Sequence, residues 1–191
     1  MFRPLLKGFT SFPKEGALVG RLLAAYGELE IDVMNCIGIV TKLNDINDAL
    51  KAMYRHRGET KRLNNAERQG LPHYASRGLG AEFSAAIGAV RECLKVRNLY
   101  SHCQWHDDLS GELAFINLEE LAGRKSHVYA ISDAPMYHVN VPFLQDQEAY
   151  FQETSNFLHW INYEYRFLGG EFPTRLVARP AQRPSPPLYK P

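Results

Sequence analysis

Within six residues, Arg97, Asn98 and His102 bring together a guanidinium, an amide and an imidazole, in the stretch Val96-Arg97-Asn98-Leu99-Tyr100-Ser101-His102. An imidazole takes or gives a proton near neutral pH. A guanidinium holds a phosphate through paired hydrogen bonds and stabilises charge on a transferring phosphoryl group. The amide can orient either one. This trio could cleave RNA without a metal ion: His102 would serve the ribose 2′-hydroxyl or the leaving oxygen while Arg97 neutralised the phosphorane. On a helix of about 3.6 residues per turn, Asn98 and His102 share a face, and Arg97 lies roughly 140° from His102 around the axis. Only the long arginine side chain, or fraying at the helix end, brings Arg97 to the same cleft. The plainer account is a helix C-terminus whose dipole favours basic side chains.

The helix that must carry these residues is predicted over about Ala81 to Cys103. Phe83, Ile87, Val90 and Leu94 mark its apolar stripe, and the same spacing continues to Arg97 and Ser101. Arg97 therefore falls in a slot that should be apolar. An earlier helix, from Glu15 to about Leu43, has its stripe at Leu22, Tyr26, Leu29, Val33, Ile37 and Val40. Glu30 lies on or beside that stripe, whereas Glu28 and Asp32 fall towards its polar side. A carboxylate on the core side needs a partner, because burying it unpaired is costly.

The remaining chain is read in the same way. Residues 1–14, with Pro4, Gly8 and Pro13, form an extended N-terminal arm too apolar to hang free. Asn44 or Asp45 caps a short helix to Tyr54, with Ile46, Leu50 and Met53 as its stripe. Residues 51–68 hold six basic and two acidic side chains, a helix–turn–helix connection ending at Gly70 and Pro72. Its plain reading is a solvated face and its sharper one a phosphate-contacting patch. Gln104-Trp105-His106 and Glu112 to Leu118 flank a turn cluster and predict a β-hairpin, with Ser126 to Ser132 as a third strand. Pro142 opens a last helix that runs to about Leu168 and is rich in aromatic residues, which read as core or dimer interface. Residues 171–191 contain six of the 11 prolines and read as an extended, mobile tail.

Arg97-Asn98-Leu99-Tyr100-Ser101-His102 resembles the R-N-x-x-x-H form of the motif in HEPN domains, helical bundles many of which are ribonucleases of toxin–antitoxin, abortive-infection and CRISPR-associated systems. The resemblance covers roughly residues 16–103 and 142–168. It implies a mainly α fold, a bundle of about four to five helices, apart from the small antiparallel β insertion near 104–132, which is read from the residues themselves and is no part of the resemblance. It also implies a homodimer whose two motifs build one cleft, RNA as the substrate, and an antitoxin or nucleotidyltransferase as a further partner. Members of the family often carry an acidic or polar residue near the arginine from an earlier helix. Glu30 fits that role, and pairing it with Arg97 resolves both interruptions of the apolar stripes. The resemblance thus assigns His102 as general acid/base, Arg97 as phosphate ligand, Asn98 as orienter and Glu30 as supporting carboxylate, with a 2′,3′-cyclic phosphate as product. The residue after His102 is Cys103, where the family frequently has glycine. Members that only bind or dimerise set the alternative, a non-catalytic module for RNA or nucleotide.

Composition narrows these options. With 22 basic and 21 acidic residues the chain has no general attraction for polyanions, so RNA affinity must be local. The three cysteines, Cys36, Cys93 and Cys103, form no CxxC pair, which points to a reducing compartment and a cytoplasmic protein. No window of about 18 apolar residues suggests a membrane span. His102 and His106, with Asp107, Asp108 and Cys103 nearby, allow a metal reading, but a strand from residue 104 breaks the helical geometry and no second ligand pair follows. No cofactor and no metal are expected.

Overall fold

The apolar periodicity of the chain is satisfied mostly by helix. The computed structural model describes residues 6–42, 45–123 and 133–187. Among them the elements run α1 (Lys7–Ser11), α2 (Pro13–Thr41), α3 (Ile46–Tyr54), α4 (Glu59–Ser76), α5 (Gly80–Ser101), β1 (Cys103–His106), β2 (Leu113–Asn117), α6 (Leu118–Gly123), β3 (Tyr137–Val139) and α7 (Val141–Leu168). The fold is mainly α with a small three-stranded antiparallel sheet, as expected, and its long helices are α2, α4, α5 and α7. The chain divides into two units, with boundaries inside α2, α5 and α7. One comprises Met1–Ala24, Lys95–Ala149 and Pro187–Pro191; the other comprises Ala25–Leu94 and Tyr150–Pro186. No helix among the described residues is long and apolar enough to cross a membrane.

In the first unit the sheet order is β1-β2-β3. The central strand is buried on both faces, with Leu113, Ala114, Phe115 and Ile116 at most 1% exposed. That explains its apolar run without alternation. Asp107 and Asp108 each accept a backbone N–H two residues on, at 3.1 Å, and so shape the turn between β1 and β2. Trp105 lies opposite Phe115 and sits among the rings of Phe9, Tyr100 and Phe115 at 5.3–5.4 Å. The third strand expected at Ser126 to Ser132 lies outside the described residues; the strand seen beside β2 is β3. The expected N-terminal arm is partly helical. Gly8 lets α1 lie on the sheet, since a Cβ there would stand 3.1 Å from the His106 backbone.

In the second unit, Leu29, Val33, Ile37 and Val40 of α2 are buried as their spacing predicts. Asp45 caps α3, accepting the Asp48 N–H at 2.9 Å. The region around Gly70 and Pro72 departs from expectation, because α4 runs through both instead of ending there. An interior proline costs about 3 kcal/mol. Leu63 and Tyr74, both fully buried, return roughly 1.5–3 kcal/mol each. Gly70 serves close approach: a Cβ would lie 2.6 Å from Phe83 Cζ and 2.8 Å from Ile37 Cδ1. The C-terminal segment, non-helical as expected, makes contacts through arginines four residues apart. Arg175 donates to both Glu164 oxygens at 3.0–3.1 Å. Arg179 reaches Glu82 at 3.1 Å and stacks over Trp160, and Arg183 lies 3.7 Å from the same Glu82 oxygen.

Candidate active site at the end of α5

Phe83, Ile87, Val90 and Leu94 of α5 are buried. In the last turns the buried face changes. Ala86, Cys93 and Tyr100, spaced by seven, form a second inward line, which rotates only about 20° per step. Tyr100 occupies the core position, its hydroxyl donating to Gln147 Oε1 at 2.7 Å. Arg97, expected in a core slot, is only half-buried, and Ser101 is exposed.

The half-buried guanidinium is oriented by its neighbour: Arg97 Nη1 donates to Asn98 Oδ1 at 2.9 Å. The helix closes immediately afterwards. The His102 N–H is shared between the carbonyls of Asn98, at 3.2 Å, and Leu99, at 3.3 Å. The Ser101 hydroxyl also donates to the Asn98 carbonyl at 3.0 Å, and the Cys103 thiol to the Leu99 carbonyl at 2.8 Å. Burial pushes the Cys103 thiol up to about 12, so it stands as a neutral cap on a helix carbonyl. The His102 imidazole projects into solvent, 51% exposed, with Nε2 3.6 Å from Glu119 Oε1. Such an exposed pair contributes at most about 1 kcal/mol to stability, so its consequence is placement of the ring.

Glu119 is not legible from sequence spacing. It is positioned by the hairpin: Cys103 pairs with Asn117, and Leu118 N–H bonds the His102 carbonyl at 3.1 Å. Asn117 Oδ1 then accepts the N–H groups of Glu119 and Glu120, at 3.1 and 3.2 Å, and starts α6 beside His102. The signal available in the sequence was the turn cluster at Asp107–Gly111, which folds the following strand back onto the helix end.

Glu30 lies in the second unit and is 6% exposed. Its need for a partner is met within that unit, by Arg62 and Tyr54. Arg62 Nε donates to Glu30 Oε1 at 2.9 Å, and the Tyr54 hydroxyl to Oε2 at 3.2 Å. Arg62 belongs to the basic run at 51–68, so one of its charges is consumed internally. The structure thus places Arg97, Asn98 and His102 on one helix end and adds Glu119 to them.

Among the described residues, His138, not a histidine of the motif, carries the tightest imidazole–carboxylate contact, 2.8 Å to Asp108. The Ser110 and His138 hydrogen bonds hold the Asp108 carboxyl far below the usual carboxylate range. Among the described residues no cluster of three His, Cys, Asp or Glu side chains gathers in a form that could hold a metal ion.

The arrangement at the end of α5 supplies an oriented guanidinium, an exposed imidazole and an accessory carboxylate, a set suited to binding and proton transfer at a phosphodiester. Comparison with protein-family models, curated proteins and solved structures finds no match to this chain.

Proposed function

We propose that the end of α5 is the centre of a metal-independent endoribonuclease of HEPN type, acting as a homodimer in the cytoplasm as a toxin or defence component. The observation that carries this reading is the pairing of Arg97 with Asn98 one turn before the solvent-exposed His102. In the proposed step one imidazole takes the proton of the ribose 2′-hydroxyl, and that oxygen attacks phosphorus. The bond to the 5′-oxygen breaks, and a second imidazole, from the other copy, protonates the leaving oxygen. Arg97 balances the charge that builds on the phosphorane. The products are a 2′,3′-cyclic phosphate and a 5′-hydroxyl. Glu119 favours one orientation of the His102 ring. Glu30, engaged by Arg62 and Tyr54, supports the fold of its own unit in this reading.

The test is cleavage of labelled RNA in EDTA by the wild type, Arg97→Ala and His102→Ala. Wild-type cleavage that survives EDTA and falls by about a hundredfold or more in both variants supports the mechanism, the size expected for a lost acid/base or charge-stabilising group. Equal cleavage in all three, or cleavage abolished by EDTA, contradicts it. A second reading, a non-catalytic RNA- or nucleotide-binding module, draws on the engagement of the Asn98 amide oxygen by Arg97. It expects RNA retention without cleavage, and loss of retention in Arg97→Ala.

A further inference from the structure

In the second unit, four carboxylates that are partly or fully buried are each met by an arginine: Glu30 by Arg62, Glu67 by Arg91, Glu82 by Arg179 and Glu164 by Arg175. Asp32 on α2 is different. It is partly buried, yet its hydrogen-bond partner is a neutral hydroxyl, Ser155 Oγ, which donates to Oδ2 at 2.7 Å. Among the described residues no lysine or arginine pairs with it. The His159 imidazole acts on Asp32 through space, favouring its charged form, while Glu28 opposes it. Burial pushes the Asp32 carboxyl above its ordinary value, with Ser155 and His159 opposing that rise. A carboxylate withdrawn from water in this way favours a positively charged neighbour.

Asp32 lines a cleft of about 480 Å³ formed by α2, α3 and α7. Small-ligand sites span roughly 300–1,000 Å³, so the space suits one small organic molecule. Ile39 and Ala49 give it apolar walls, and the His159 and Tyr163 rings stand 4.7 Å apart beside it. The cleft also holds an arginine, Arg166, which could have attracted an anion. That guanidinium is already engaged, by Glu171 at 2.8 Å and by the face of Phe172 at 4.5 Å. Arg166 also lies over the Tyr163 ring, at 5.5 Å. The group left without an ion-pair partner is therefore the acid.

We propose that this cleft binds a small organic cation, an amine, amidine or guanidine on an apolar body, whose charge pairs with Asp32 and whose body lies against Ile39 and Ala49. The site is separate from the end of α5, and its occupancy does not depend on RNA cleavage. Benzamidine, with its near-isosteric neutral counterpart benzamide and the anionic phenyl phosphate, probes it directly. Each is titrated into the full chain and followed by heteronuclear NMR. Benzamidine is expected to shift resonances of Ala49, Leu158 and Tyr163 and to bind at least about tenfold more tightly than benzamide, the factor expected for one charge-assisted contact. Asp32→Asn is expected to remove that difference. The comparison of the three probes on the wild type needs no variant, so it stands even if Asp32→Asn folds poorly. Equal binding of benzamidine and benzamide, preference for phenyl phosphate, or shifts confined to other surfaces would overturn the proposal.

Discussion

Replacing Arg62 with alanine leaves Glu30 as a buried charge without its counter-ion. The Glu30 and Arg62 side chains are only 7% and 14% exposed, so solvent screens the pair far less than a surface salt bridge. Breaking such a pair costs about 3–5 kcal/mol, whereas replacing both partners with well-packed apolar residues is often neutral. The Tyr54 hydroxyl still donates to Glu30 in the variant, which argues for the lower end, about 3 kcal/mol. For a chain of this size that corresponds to a fall in Tm of about 6–12 °C. Thermal unfolding followed by circular dichroism would compare the wild type, Arg62→Ala, and the closed cycle of Glu30→Leu, Arg62→Met and the double variant Glu30→Leu/Arg62→Met. Arg62→Ala should show the full loss, and the double variant should recover at least half of it. If the double variant loses as much as the two single changes together, or if Arg62→Ala shifts Tm by less than about 1 °C, Glu30 and Arg62 are not coupled as described.

Two glycines in long helices should respond in opposite directions. Gly70→Ala places a Cβ 2.6 Å from Phe83 Cζ and should destabilise by about 1–3 kcal/mol, whereas Gly20→Ala meets nothing within 4 Å and should stabilise by about 0.5–1 kcal/mol, both read by urea unfolding. Burial pushes Cys36 and Cys93 from 9.0 up to about 12, so the folded state keeps thiol protons that the unfolded chain loses. Their contribution is fully present below about pH 9 and is lost as pH rises towards about 12; Tm should decline over that window, and Cys36→Ala with Cys93→Ala should flatten the decline. Trypsin should cut slowly after Arg175 in the wild type, because its side chain is engaged by Glu164, and Glu164→Ala should speed it severalfold. An unchanged cleavage rate would show that the segment is not held by this pair.

The helices that were easiest to read are those whose stripes repeat over many turns. α2 and all but the last turns of α5 follow their apolar spacing, and Pro142 sits in the first turn of α7, where its missing N–H is harmless. α4 was obscured because Gly70 and Pro72 resemble a stop signal, while the packing that overrides them, against Phe83 and Ile37, is tertiary. Reading a turn there also hid Arg62. Once α4 is continuous, Arg62 stands beside Leu63, one turn from Ala66, on the buried side of the helix. Arg97, Asn98 and His102 were legible because a single helix end holds all three. The slot assigned to Arg97 belongs instead to Tyr100, because the inward line at the helix end runs through Ala86 and Cys93. Glu119 escaped notice because its place beside His102 depends on the pairing register of β1 and β2, which no local spacing encodes.

The most direct measurement of the central claim is the chemical nature of the RNA ends left by the purified protein in EDTA, determined by mass spectrometry. The wild type should leave 2′,3′-cyclic phosphate and 5′-hydroxyl ends, and a folded His102→Ala variant should leave the RNA uncut. Ends bearing a 3′-hydroxyl and a 5′-phosphate, or identical products from both proteins, would contradict it.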